Sequence, residues 1–246
     1  MKVFKKIKLK FKNSKKYIFF GIPGNEELRD FFHFRYINYY ERGYIKQNVD
    51  EIDVDEYDDE RSVYFVAKIE NKIIGCSRLI IDKHLPTEKD CFNFEEPDAV
   101  SKIEREKRAE VSRLIVSKYE KGVYLPKNLV MLGLFDVMVM YCRMRGIRGG
   151  YSFIKQSLKE KLDKLKFPYH PIKNYKQIYK KGVLENYFSS NENPVIPIYY
   201  LLDEIENYIN RIYSNKLIFI KINDDEIYFK SGLIWKVYKK FFVKNK

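Results

Sequence analysis

Residues 109–118 read AEVSRLIVSK. Leu114, Ile115 and Val116 have the branched apolar character of a strand buried on both faces. The same run carries Glu110, Ser112 and Arg113. Burying an unpaired charge is expensive, so a carboxylate and a guanidinium in such a strand need partners or a chemical task. A positioned carboxylate can serve as a general base. In a regular strand positions 110 and 113 face opposite sides, and a bulge between them would bring both to one side. The plainer alternative is that Glu110 pairs with Arg78 or another arginine to hold neighbouring strands. A second pair of acids, Asp55 and Asp58, lies three residues apart in DEYD (55–58), so one turn aims both at one spot. They could hold a substrate ammonium or order Arg29 and Arg35. The alternative is a solvated acidic loop, because Asp50, Glu51, Asp53, Glu56, Asp59 and Glu60 surround them.

Nothing else in the sequence offers a compact catalytic cluster. Cys76, Cys91 and Cys142 are scattered, and His33, His84 and His170 are far apart. Neither zinc spacing nor a disulfide framework is present, which fits a reducing cytoplasm. The histidines read as structural or surface residues.

The elements that must position these residues follow from hydrophobic period and turn chemistry. YIFFGIP (17–23) reads as a strand ending at Pro-Gly, and Asn25 as the cap of a helix from about 26 to 41. Residues 44–61 and 82–100 read as polar loops. SVYFVAKI (62–69) and KIIGCSRLII (72–81) read as a strand pair, and AEVSRLIVSK as the next strand. A helix is predicted over 126–145 with Gly146 at its end. GIRGGYSFI (146–154) then reads as a strand, 155–165 as a helix, IPIYYLL (196–202) as a strand and 203–213 as a helix. This order implies an α/β (α+β) fold, a mixed sheet with helices on both faces. At the end, 216–230 reads as a hairpin turning at Asn223-Asp224-Asp225, followed by a basic amphipathic helix with Lys236, Lys240 and Lys244 on one face. The expected division is a basic segment 1–16, a main domain 17–213 and a tail 214–246.

The net charge is +13, and its placement matters more than its size. Residues 1–16 hold eight lysines and residues 236–246 hold five, with no acid in either. Those thirteen equal the whole excess, so the rest of the chain is formally neutral. A nucleic-acid protein more often carries a basic stripe across its body. Basic ends suit an acidic protein, an anionic membrane surface or solubility. The N-terminus has no signal-peptide apolar stretch and no run reaches transmembrane length. The expectation is a cytoplasmic protein, with peripheral contact at the inner membrane face through the basic termini as a further option.

Four pieces taken together are more specific than any one: FHFRYINYY (32–40), DEYD (55–58), GCSRLI (75–80) and AEVSRLIV (109–116). In this order they resemble the autoinducer-synthase-like branch of the GNAT acyltransferase fold, which includes acyl-homoserine-lactone synthases and long-chain N-acyl amino acid synthases. The resemblance implies a transferase moving a medium- or long-chain acyl group from acyl carrier protein to the α-amine of an amino acid. No cofactor would be tightly bound and no metal used, and acyl-phosphopantetheine would be the donor. An acyl-homoserine-lactone synthase using S-adenosylmethionine is the alternative within the branch; a non-catalytic membrane-surface or partner-binding protein of the same fold is the alternative of another class. It matches Glu110 and Arg113 to the catalytic pair and Asp55 and Asp58 to the amine pocket. Arg78, Ser112 and Phe32 join that pocket, with Arg29 or Arg35 as the arginine of the first helix. It also implies the strand distortion, predicted at Ser112–Leu114; for an attack on a thioester, backbone N–H groups near Ile115 to Ser117 could receive the developing oxyanion. KYEKGVYLPKN (118–128) has one glycine, Gly122, a poor pyrophosphate cradle, which favours the carrier protein over coenzyme A. Met131, Phe135 and Met138, with Phe92 and Phe94 as walls, are the candidate acyl-chain pocket; core packing is the commoner reason for such a helical stripe.

Overall fold

The computed structural model describes residues 1–11, 14–117 and 127–230. The sequence-predicted basic C-terminal helix and the segment 118–126 lie outside these residues. The elements run β1 Lys2–Phe11, β2 Ser14–Ile22, α1 Leu28–Tyr40, β3 Ser62–Ile69, β4 Lys72–Ile80, β5 Phe92–Asn93, α2 Asp98–Ser101, β6 Arg108–Val116, α3 Lys127–Met144 and β7 Gly149–Lys155. They continue with α4 Gln156–Lys164, β8 His170–Pro171, β9 Lys176–Gln177, α5 Glu185–Ser189, β10 Val195–Leu201, α6 Leu202–Tyr213, β11 Phe219–Lys221 and β12 Glu226–Phe229. Ten strands form one mixed sheet in the order β11-β12-β1-β2-β3-β4-β6-β7-β10-β8.

The basic N-terminal run builds the whole of β1 and starts β2. Its lysines conceal an alternation: Ile7 and Leu9 are buried in the main core, and Lys5 between Phe4 and Lys6 reaches Asp136 on α3 at 2.7 Å. The hairpin β11–β12 turns where expected, through Asn223 to Asp225, and β12 pairs in parallel with β1. Asn25 does not cap α1. A 3₁₀ turn at Asn25–Glu27 precedes the helix, and the Glu27 carboxylate accepts the Gly24 N–H at 2.7 Å. The loop predicted over 82–100 is structured: Thr87–Cys91 is a π-helical turn with Thr87 and Cys91 buried, and Phe92 is buried beside it. The polar sequence hid this because its apolar members are separated by charges that face out.

Two irregularities position the centre of the sheet. Cys76 pairs with Ile115 and Arg78 with Ser112, so Ser77 of β4 stands opposite both Arg113 and Leu114 of β6. This is the predicted bulge. Arg113 there has φ 54°, a left-handed conformation that a side chain with Cβ adopts only when its surroundings impose it. The second is a splay: the parallel pairing of β6 with β7 stops after Arg108–Gly149, Ala109–Gly150 and Glu110–Tyr151. Gly150 permits this close pairing, because a Cβ there would stand 1.8 Å from the Ala109 carbonyl oxygen. Gly150→Ala is expected to force the two strands apart where they pair. It should cost about 1–3 kcal/mol or more, as overpacking does, read as a lowered denaturation midpoint.

Candidate active site

Three arginines and three aspartates interlock under the bulge. Arg35 of α1, four residues from both Phe31 and Tyr39, lies on the buried stripe of its helix and is fully buried. Its Nε donates to Asp53 Oδ2 at 2.9 Å, and its Nη1 and Nη2 donate to the two Asp58 oxygens at 2.8 and 3.0 Å. Arg78 of β4 donates to both Asp55 oxygens, at 2.6 and 2.9 Å, and through Nε to Ser112 Oγ at 3.0 Å. Arg113 of β6 donates to Asp53 at 2.8 and 3.2 Å and to Asp55 at 2.8 Å. Forked guanidinium–carboxylate pairs of this kind are the strong ones. Burial alone would raise the Asp53 and Asp55 carboxyls, but Arg113, with Arg35 on one and Arg78 on the other, holds both well below the usual carboxylate range.

This arrangement decides several alternatives that the sequence leaves open. Of the two arginines of the first helix, Arg29 is exposed and outside the network, and Arg35 is buried within it. Phe32 packs against the Arg35 guanidinium, 5.3 Å from ring centre to Cζ, and its carbonyl accepts the Asp53 N–H. Asp55 and Asp58 order arginines and do not form a solvated loop; their oxygens are already engaged, which argues against a free ammonium seat between them. The sequence places Asp53 within an acidic loop, yet its side chain is buried and joins Arg35 to Arg113. Nothing in the local sequence separates it from its acidic neighbours, since its partners lie 18 and 60 residues away. The Ser117 N–H donates to Ile74 O at 3.1 Å and is not free for an oxyanion.

Glu110 stands apart from the network. Among the described residues it forms no ion pair with Arg78. Its Oε2 accepts the Thr87 backbone N–H at 2.7 Å from the π-helical turn, while its buried Oε1 has no partner among the described residues. Burial pushes its carboxyl up to about 7, against the pull of Thr87 and Arg78. A carboxylate with that affinity exchanges a proton near neutrality, as a general base must.

Two cavities meet at Ser112 and Arg113. One is small, about 30 Å³, and mixed in character: Glu110, Asp55, Arg78, Tyr57 and Asp90 line it as well as the pair, together with apolar residues such as Phe153 and Leu184. It has room for a water or a small polar group. The other is apolar, about 80 Å³, and occupies the splay between β6 and β7. It reaches from Tyr39 and Tyr187 on the α1 side of the sheet to Phe135, Leu162 and Phe167 on the α3–α4 side. Arg113 forms part of both walls, with its guanidinium 5.3 Å from the Tyr39 ring centre and its Nη1 without a hydrogen bond among the described residues.

Of the predicted acyl-chain residues only Phe135 lines the apolar cavity. Met138 is a core residue whose sulfur accepts the Ser77 hydroxyl at 3.1 Å, and Met131 packs against the same core. Phe92 and Phe94 border a separate open depression with His84, Lys89 and Arg105. The space comes from strand divergence, not from the α3 stripe. Among the described residues no cluster could hold a metal ion, the three cysteines are free and buried, and no helix is long and apolar enough to cross a membrane.

Residues 30–160, just over half of the chain, match the family described as N-acyl amino acid synthase FeeM. Several solved structures share the fold. FeeM, an N-acyl amino acid synthase from uncultured soil microbes, is 17% identical with a TM-score of 0.52, covering 78% of this chain and 94% of its own. The AHL synthase LasI is 13% identical with a TM-score of 0.58, covering 79% and 95%. The CoA-dependent acyl-homoserine lactone synthase BjaI, solved with SAM and isopentyl-CoA, is 17% identical with a TM-score of 0.52, covering 85% and 88%. At these identities the likeness establishes the fold, that of the GNAT-like acyltransferases. No curated protein matches the sequence.

Proposed function

The chain belongs to the N-acyl amino acid synthase FeeM family and is an acyltransferase, and from that premise we propose that it joins a fatty acyl group, delivered as a thioester on acyl carrier protein, to the α-amine of an amino acid. The observation that carries this reading is the pair of cavities sharing Ser112 and Arg113, one holding the charged and polar groups around Glu110 and one apolar through the sheet. An acyl chain belongs in the apolar cavity, an amine beside Glu110, and the thioester carbon at the junction. The amine nitrogen attacks that carbon. The C–N bond forms, the C–S bond breaks, the amine proton passes to Glu110, and the thiolate leaves and takes up a proton. Arg113 Nη1, which makes no hydrogen bond among the described residues, would donate to the carbonyl oxygen as it gains charge.

The energetics favour positioning over base strength. A peptide α-amine has a pKa of about 7.7–8, so recovering its neutral form costs on the order of 1 kcal/mol; the amine of a free amino acid is more basic and costs somewhat more. Holding two reactants in line is worth about 7–11 kcal/mol in well-oriented cases. The rigid arginine–aspartate frame serves that purpose. The reading is tested by incubating the protein with acyl carrier protein bearing a fatty acyl group and a mixture of amino acids. The expected result is one free thiol released per amide formed, with an N-acyl amino acid identified by mass spectrometry. An acyl lactone formed only with S-adenosylmethionine would overturn it in favour of lactone synthesis. Absence of thiol release from any acyl donor would remove catalysis altogether.

A further inference from the structure

The apolar cavity is too small for a fatty chain as it stands. An apolar cavity of about 150 Å³ accepts benzene, so the 80 Å³ here corresponds on that scale to roughly three carbons. A longer chain must displace part of the wall, and the wall is uneven. Phe135 and Phe167 pack with centroids 4.7 Å apart and planes tilted by 32°, and Tyr208 meets Phe167 edge-on at 5.3 Å; all three are buried in the main core. Moving one of them disturbs the others, and close-packed cores resist that.

Tyr169 is different. It lines the same cavity yet is only half-buried, and its hydroxyl donates at the surface to Asp163, an exposed residue also held by Lys159 at 2.9 Å. Leu158 of α4, likewise half-buried, lines the cavity on the same side. The ring of Tyr169 therefore spans from cavity to solvent: its inner part packs against the edge of the core, and its hydroxyl is tied at the surface to Asp163. Such a bond contributes only about 0.5–1.5 kcal/mol net, less than the cost of opening a packed aromatic cluster.

We propose that Tyr169 is the outlet stop of the acyl cavity and sets the length of acyl chain the enzyme accepts. This rests on the reading of the apolar cavity as the acyl site. Chains short of the stop end against its ring; longer ones pass between Tyr169 and Leu158 toward solvent once the ring swings away from Asp163. Tyr169→Ala removes the stop, Tyr169→Trp enlarges it, and Tyr169→Phe keeps the ring but frees it from its tether.

The test uses the full chain and acyl thioesters from butyryl to palmitoyl, reading kcat/KM for each. In Tyr169→Ala the ratio of long-chain to short-chain kcat/KM should rise by roughly tenfold or more, the scale on which a hydrophobic pocket discriminates single methylenes. Tyr169→Trp should lower that ratio, Tyr169→Phe should raise it less than alanine does, and Leu158→Ala should raise it by widening the same outlet. A ratio unchanged in all four, or a uniform loss across lengths, overturns the proposal. Binding supplies a second reading that needs no turnover. Free fatty acids of the same lengths should raise Tm by occupying the folded state, and in Tyr169→Ala that rise should extend to longer acids than in the unaltered protein. If no acyl group is transferred but the Tm series shifts, the outlet stands and the proposed reaction fails; if transfer occurs and neither series shifts, the outlet fails alone.

Discussion

Glu110→Gln is expected to lower acyl transfer by about 10²–10⁴-fold while leaving the fold intact, because it removes the one buried carboxylate with an unengaged oxygen beside the junction. Glutamine retains an oxygen that can accept the Thr87 N–H. The unaltered enzyme should gain activity as pH rises through about 7, where burial has moved the Glu110 carboxyl. The variant's residual activity should lack that inflection and keep only the later rise that comes from deprotonation of the amine itself. The stability effect runs in the opposite sense. The folded-state pKa is raised from 4.5 to about 7, so the folded protein is unburdened below the unfolded value and loses stability as pH rises through the folded one. The full difference corresponds to about 3 kcal/mol above that range. Glu110→Gln should therefore raise the denaturation midpoint at mildly alkaline pH and change it little in acid. Equal pH–rate profiles for the two proteins would remove Glu110 from the proton transfer.

The frame of this site was legible where chemistry and local pattern agreed. A strand carrying Glu110, Ser112 and Arg113 in an apolar run signals buried charge with a purpose, and the bulge follows from needing both charges on one side. Helix α3 was bounded by Gly146, which adopts φ 70° just past its end. Arg35 could have been chosen over Arg29 from the sequence, because it shares the helical stripe of Phe31, Phe32 and Tyr39. Strand β1 was also within reach, as Ile7 and Leu9 alternate with lysines whose charge masks the period. The remainder was not local. Asp53 is distinguished from its neighbouring acids only by partners on α1 and β6. Thr87 became a partner of Glu110 through a π-helical turn for which its sequence has no recognisable signal. The apolar cavity exists because two parallel strands part after three paired positions. Residues on α3 can line such a gap or miss it, and Phe135 reaches it while Met131 and Met138 do not.

Asp53→Ala should be the most destabilising single change at the site. The buried cluster balances three guanidinium groups with three carboxylates, and Asp53 alone joins Arg35 to Arg113. Truncation leaves three buried guanidinium groups sharing two carboxylates, and breaking a buried pair from one side typically costs about 3–5 kcal/mol. The denaturant midpoint should fall accordingly at neutral pH. Catalysis should fall beyond what unfolding explains, because Arg113 is held in its left-handed conformation by Asp53 and Asp55. The pH dependence separates this from simple loss of packing. The Asp53 carboxyl titrates below its unfolded value, so its contribution is present above the usual carboxylate range and is lost as pH falls through the depressed folded value. The gap in stability between the unaltered protein and Asp53→Asn should be widest near neutrality and should narrow in strong acid; it is opposite in sign to the gap at Glu110, where the variant is the more stable protein. A gap that stays constant with pH would mean that Asp53 contributes shape and not charge. The two acids then divide the work: one is kept ionised by its arginines to fix the geometry, and the other is kept away from them so that it can accept a proton.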